Sequence, residues 1–319
     1  MGALLHAYSL WFLLEHFGKC RSVYRLLCPG RPMQLAQANP PPFRPFPSSG
    51  IGEAGGSCYW KCGGRLRMNS AGGGNRSLQR GIEILRAFRQ GIDVLGNGEI
   101  AERTGIPRAT VSRLTRTLVQ SGMLDDVRSE RGYRLAAAVI SFGHAMRVSS
   151  PVLNALGPMM RAESMRRKMN VGLATADRSM MVYLESVRFN PRVALRSVVA
   201  GQQVPMELTS LGRAYLAGIS EQQRAGLLAS FKRRRTGATQ NLLAQVQTSI
   251  RSVKRDGYCA VSWQRGVLAV ATPIIVKGLP VYALNMSMQN VPPTAQLSAE
   301  MGGYLLAFAK RCNEALATD

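Results

Sequence analysis

Between Pro107 and Gln120, Val111, Leu114 and Leu118 recur at spacings of three and four, which places them on one side of a helix. Arg108, Ala109, Ser112, Arg113 and Arg116 then face outward, with Thr110 beside them. Those residue types suit duplex DNA. A guanidinium bonds a guanine edge bidentately or holds a phosphate, and Ala, Ser and Thr are small enough to let the helix approach a groove. A plain solvated helix face carries similar arginines, so the neighbouring elements must decide between the two readings.

Upstream, Leu78, Ile82, Leu85 and Phe88 recur at spacings of four, three and three, opposite Arg80, Glu83, Arg86 and Arg89. This pattern predicts a first helix, with Ser77 as its N-cap. Asn97 to Arg103 reads as a short helix broken at Thr104-Gly105, and Ile106-Pro107 opens the arginine-bearing one. Helix, glycine turn and proline-initiated helix form a helix-turn-helix pattern. Met123 to Asp126 and Gly132 to Leu135 then read as two short strands around a polar turn, a wing that presents Arg128 and Arg131 to backbone phosphate. From Arg76 to Arg134 there are eleven basic and seven acidic residues, a net charge of only +4, so the order of elements argues for DNA more strongly than local charge does.

Catalytic parts are sparse. Of the three histidines, His6 and His16 lie at the start of the chain, leaving His144 alone downstream. Cys259 has no evident base to activate it, no phosphate-binding G-x-x-x-x-G-K-[ST] sequence occurs, and Gly72-Gly73-Gly74 follows no strand. Cys58 and Cys62 offer two zinc ligands but no second pair at matching spacing, and Cys20, Cys28 and Cys312 complete no framework. No cofactor or metal is expected.

The 319 residues carry a net charge of +23 with 46% hydrophobic residues, enough for two packed domains and for attraction to polyanions or small acids. The apolar run Gly2 to Leu14 is shorter than the roughly 20 residues that cross a bilayer. A soluble, cytoplasmic protein is expected. Residues 1–67 hold no helix or strand period and include Asn39-Pro40-Pro41-Pro42 and clustered glycine. They read as a disordered arm, or as an extension upstream of a start at Met68. The expected organisation is an arm over 1–75, a winged helix over 76–135, a linker helix over 136–150 and a second domain over 151–319. The linker carries Val139, Phe142 and Met146 at helical spacing and ends at Ser149-Ser150-Pro151.

The stretches Ser77 to Phe88, Ile100-Ala101, Thr104 to Leu114 and Thr117-Leu118 resemble the start of an IclR-family transcriptional regulator. Pro205-Met206-Glu207-Leu208-Thr209-Ser210-Leu211-Gly212-Arg213-Ala214-Tyr215-Leu216-Ala217 resembles that family's signature loop and helix, and Gly257-Tyr258 with Ala271-Thr272-Pro273 its later strands. The resemblance runs from about Arg76 to the C-terminus. It implies an α+β protein, a winged helix-turn-helix followed by a linker helix and a GAF-like α/β ligand-binding domain. It also implies a homodimer or homotetramer acting on a double-stranded DNA operator.

The sequence is consistent with that domain. Strands are expected at Val171 to Ala176, Met180 to Leu184, Arg192 to Val199, Cys259 to Trp263, Val267 to Ile275 and Val281 to Ser287. Helices are expected from about Thr209, Glu221, Asn241 and Ala295. Carried over from the family, the effector positions are Leu208, Thr209 and Ser210 on the loop, Ala269 on one strand, and Asn285 with Ser287 on the last. A loop entering a helix N-terminus favours an anion. Thr209 is read either as the N-cap alone or as cap plus ligand contact. Members that hold small 2-oxo acids have an acidic residue after the Gly-Tyr pair, where this chain has Ala260-Val261-Ser262-Trp263. Glu207 stands where His is frequent, so effector identity does not transfer. From Pro151 onward the net charge is +12, which favours a carboxylate-bearing effector. Lys232-Arg233-Arg234-Arg235, a large part of that excess, reads as a solvated loop. An enzyme on the second domain and an RNA-binding adaptor are the alternatives. The first lacks catalytic parts and the second lacks an aromatic stacking platform.

Overall fold

The structure, a computed structural model, describes residues 74–89, 91–190, 198–234 and 239–317, all within one compact unit. The arm expected over residues 1–67 and the start expected at Met68 lie outside the described residues. The winged helix begins with α1 (Arg76–Ala87). Its N-cap is Asn75 rather than Ser77, because the Asn75 side chain accepts the Leu78 N–H at 3.0 Å. The apolar stripe is also shifted by one residue. Gly81, Ile84 and Ala87 are buried, while Leu78 and Ile82 are 62% and 44% exposed. The expected period holds, but packing selects the face with Ile84 and Ala87, which joins the buried cluster of the winged helix.

In α2 (Asn97–Thr104) the Glu99 carboxylate accepts the Gly96 N–H at 2.8 Å, and the Gly105 N–H closes the other end on the Ala101 carbonyl. After Pro107, α3 (Arg108–Gln120) buries Val111, Leu114 and Thr115 against Ile84, Leu95 and Ile100. Strands β1 (Leu124–Val127) and β2 (Gly132–Leu135) pair antiparallel from Leu124↔Leu135 to Val127↔Gly132 around a 3₁₀ turn at Arg128–Glu130. Leu95 bridges to Tyr133 as a third edge.

Helix α4 (Ala138–Val148) buries none of its residues. Pro151 does more than end it, since Pro151 opens α5 (Pro151–Arg167), with Ser150 capping the Leu153 N–H at 3.3 Å. The second domain is built on β3 (Asn170–Asp177), β4 (Met180–Val187), β5 (Gln203–Pro205), β6 (Cys259–Val261), β7 (Val267–Ile274) and β8 (Tyr282–Gln289). These make one antiparallel sheet in the order β5-β4-β3-β8-β7-β6. The edge strand β5 has three residues and carries too little alternation to be read from sequence. Most of the strand expected at Arg192 to Val199 falls outside the described residues.

Alternation along the strands divides the core in two. Val171, Leu173, Leu268, Val270, Leu284 and Met286 face α5 and α9 (Ala295–Ala317). Ala174, Ala271 and Ala283 face α6 (Ser210–Gly218) and α8 (Thr239–Asp256), where their short side chains admit the helices closely. Helix α7 (Glu221–Arg234) completes that side. Lys232 and Arg233 lie exposed in its last turn and not in a loop, a position where cations complement the helix dipole. Among the described residues no helix is long and apolar enough to cross a membrane.

Candidate nucleic-acid interface and ligand face

Helix α3 is held by its buried side, and this fixes what its outer side presents. Thr115 is fully buried, and its hydroxyl donates to the Val111 carbonyl at 3.0 Å and lies 3.3 Å from Asn97 Oδ1 of α2. Sequence reasoning passed over Thr115, although it lies four residues after Val111 and so on the same stripe. Arg108, Ala109, Arg113 and Arg116 are exposed, and Thr110 and Ser112 are half-buried. Arg108 lies along α2, since a Cβ on Gly98 would come within 3.3 Å of its Nη2. Arg113 and Arg116 form no ion pair among the described residues. In the wing, the Arg128 side chain is 93% exposed and lies 3.9 Å from Asp126. Arg131 follows at a left-handed φ of 52° that turns the chain into β2. Arg134 is drawn instead to Asp125 at 3.3 Å.

The second site is assembled by strand register. Asn170, Ser287 and Ala269 form one cross-strand row, and Gly172, Asn285 and Ala271 form the next. Side chains two residues apart on a strand share a face, so Ala269, Asn285 and Ser287 all lie on the face that carries α6. Ala271 pairs onward with Cys259, whose thiol donates to the Ser210 carbonyl at 3.6 Å at the start of α6. Leu208 is half-buried and Ser210 buried beside it. The Thr209 hydroxyl donates to the Pro205 carbonyl at 2.9 Å and accepts the Gly212 N–H at 3.3 Å. Thr209 is therefore the N-cap of α6.

The signature loop folds tightly because Gly212 has no side chain: a Cβ there would lie 2.0 Å from the Met206 carbonyl oxygen. Buried Arg213 then ties the loop to α8, donating to the Glu207 carbonyl and to Ser249 Oγ, each at 3.1 Å. Burial lowers the pKa of this guanidinium, and three acceptors within reach offset the cost.

Asn285 is only 5% exposed, and its Oδ1 has no hydrogen-bond partner among the described residues. A buried amide oxygen left this way costs free energy unless something fills the site. Tyr183 of β4 lies alongside. Burial pushes its phenol up to about 12, while Arg188 and the Asn285 amide pull the other way. Tyr183 and Gly172 were not anticipated from sequence, although a glycine inside a strand is the usual mark of a close approach.

Burial pushes the Cys259 thiol up to about 12, disfavouring the thiolate. Among the described residues no group of three or more His, Cys, Asp or Glu could hold a metal ion.

A winged helix whose helix α3 exposes arginines that form no ion pair among the described residues, joined to an α/β domain with a buried polar face, defines a class of DNA-binding regulators. The particular family follows from comparison with known proteins. Residues 77–127 match the IclR helix-turn-helix domain and residues 144–317 match the bacterial transcriptional regulator IclR C-terminal domain. The chain belongs to the IclR family of transcriptional regulators. It is 30% identical over 236 residues to the HTH-type transcriptional regulator TsaQ1/TsaQ2 of Comamonas testosteroni, covering 72% of this chain and 84% of that protein. The crystal structure of an IclR-family regulator from Brucella abortus superposes with a TM-score of 0.71 at 30% identity, over 76% of this chain and 93% of the other. An IclR homologue of Microbacterium hydrocarbonoxydans, complexed with 4-hydroxybenzoate, shares the fold with a TM-score of 0.58 at 19% identity, over 76% of this chain and 100% of that one.

Proposed function

We propose that this regulator binds one operator specifically and that a small carboxylate-bearing metabolite controls the binding. Helix α3 enters the major groove with Arg113 and Arg116 at base edges, Ala109, Thr110 and Ser112 allow close approach, and Arg108 supports it from the α2 side. Arg128 and Arg131 contact backbone phosphate. The effector lies among Leu208, Thr209, Ser210, Ala269, Asn285 and Ser287. The buried and unpartnered Oδ1 of Asn285, an acceptor that a hydroxyl or N–H of the effector would fill, carries the placement of this site. The net charge of +12 from Pro151 onward supports an anion, and the 4-hydroxybenzoate held by a protein of the same fold supports a small acid.

The working form is a cytoplasmic homodimer or homotetramer. Its support is α4, which leaves Phe142 and Met146, one turn apart, exposed by 64% and 48%, an apolar strip that a second copy would cover. Two winged helices on one dimer must match half-sites about one helical turn apart or a multiple of it, so an effector that biases their separation changes affinity. A tenfold change of operator affinity is about 1.4 kcal/mol of coupling and must appear equally in the effector's affinity. The test is titration of a duplex from the gene's own upstream region, with 4-hydroxybenzoate and other small acids added. Specific binding that one of them shifts is expected. Equal affinity for unrelated duplexes overturns the operator reading, and indifference to every acid overturns the effector reading.

A further inference from the structure

The winged helix has its own buried apolar cluster, separate from both clusters of the α/β domain, so among the described residues no shared core joins the two. Crossed charges join them instead. On α1, Glu83 and Arg86 lie one turn apart and away from the buried Gly81, Ile84 and Ala87. They meet Arg178 and Asp177 in the turn between β3 and β4. Arg86 Nη1 donates to both Asp177 oxygens, at 2.9 and 2.8 Å. The Arg178 guanidinium forks onto both Glu83 oxygens, Nη1 to Oε2 at 2.8 Å and Nη2 to Oε1. Arg147 of the linker helix is fixed to the same hairpin, donating to Glu185 Oε2 at 2.8 Å and to the Leu184 carbonyl.

The pairing is specific in register, because sliding α1 by one turn would oppose like charges. It is also reversible. The four side chains of the crossed pairs are 30 to 50% exposed, where ion pairs are individually weak and screened by salt. The hairpin that ends in Asp177 and Arg178 carries Gly172 on β3 and Tyr183 on β4, next to Asn285.

We infer that the β3–β4 turn is a charged latch that sets the orientation of the DNA-binding unit, and that occupancy of the face beside Asn285 acts on the operator through this turn. The second half rests on the effector reading above. The first half stands without it. A latched winged helix is pre-oriented for its half-site, so opening the latch weakens operator binding.

The test uses the full chain with the turn reversed, Asp177→Arg with Arg178→Asp, and a four-residue variant that adds Glu83→Arg with Arg86→Glu. Asp is among the residues that tolerate the left-handed φ of 57° at position 178. Small-angle scattering at low salt is expected to show an enlarged radius of gyration for the turn variant and recovery in the four-residue variant. Wild type should expand in the same way in high salt. Operator affinity should fall at least threefold in the turn variant and recover with the four changes. A turn variant that scatters as wild type at low salt, or a four-residue variant that stays expanded, overturns the latch. If 4-hydroxybenzoate and other small acids leave wild-type operator affinity unchanged, the effector reading fails and the latch is judged on scattering. If an acid acts equally on wild type and turn variant, the latch does not carry the signal.

Discussion

Gly172 of β3 and Asn285 of β8 are cross-strand partners so close that a Cβ on the glycine would lie 2.5 Å from Asn285 Oδ1 and 2.6 Å from Cε1 of Tyr183. The glycine thus lets an aromatic ring and an amide share one spot on the sheet. Gly172→Ala should displace one of them, destabilising the protein by about 1–3 kcal/mol through overpacking. Ligand affinity should fall at least tenfold while operator binding without ligand stays near wild type. Calorimetry and thermal melting check this, and an alanine variant that binds ligand normally would remove this face from the effector site.

Arg113→Ala should weaken specific operator binding by about 1–3 kcal/mol, because it removes an exposed base-reading candidate and no buried contact. Competition between operator and scrambled duplex measures it. An unchanged ratio in a folded variant would take α3 out of the groove.

Loss of Arg128 or Arg131 should act differently. Each is placed to neutralise a phosphate, so Arg128→Ala should weaken all duplexes alike and reduce the salt slope by about one counterion. Arg131→Ala keeps the Cβ and with it the cost of the left-handed φ, so it isolates the charge effect, whereas Arg131→Gly would also relieve that strain. A shift in preferred sequence would instead assign these residues to base reading.

Thr209→Val removes the hydroxyl that caps Gly212, at a cost of about 1 kcal/mol in stability. If Thr209 also touches ligand, the effect of ligand on operator binding should fall more than operator binding without ligand does. Four affinities, for ligand in wild type and variant with and without operator, separate cap from contact. Equal ligand affinity in both proteins leaves Thr209 as a cap only.

Glu163 of α5 is 2% exposed and faces three arginines, Arg166, Arg167 and Arg311. Burial pushes its carboxyl up, but hydrogen bonds from Arg166 and Arg311 outweigh burial and hold it below the ordinary value. A lowered carboxyl contributes stability that is present above the unfolded value of about 4.3 and is lost as pH falls through the folded value. Glu163→Gln should destabilise the α/β domain by about 2 kcal/mol at neutral pH. The deficit should shrink below about pH 4, which denaturant titrations across pH detect.

The sequence by itself determined most of the elements and their order, the short edge strand β5 excepted. The helix period of α3, the glycine turn before it and the two wing strands are local signals written in residues a few positions apart, and each formed where the spacing placed it. Strands β3, β4, β7 and β8 likewise formed over stretches expected as strands, whereas Ala269, Asn285 and Ser287 were singled out only through the resemblance to the family. Packing decided the rest. Which face of α1 is buried depends on how closely α2 and α3 approach, a difference of one residue in phase that periodicity alone cannot settle. Tyr183 beside Asn285, and Glu83 against Arg178, join residues about a hundred positions apart. Strand register and the docking of one domain on another bring such residues together, and both arise from long-range contacts that leave no periodic trace in the chain.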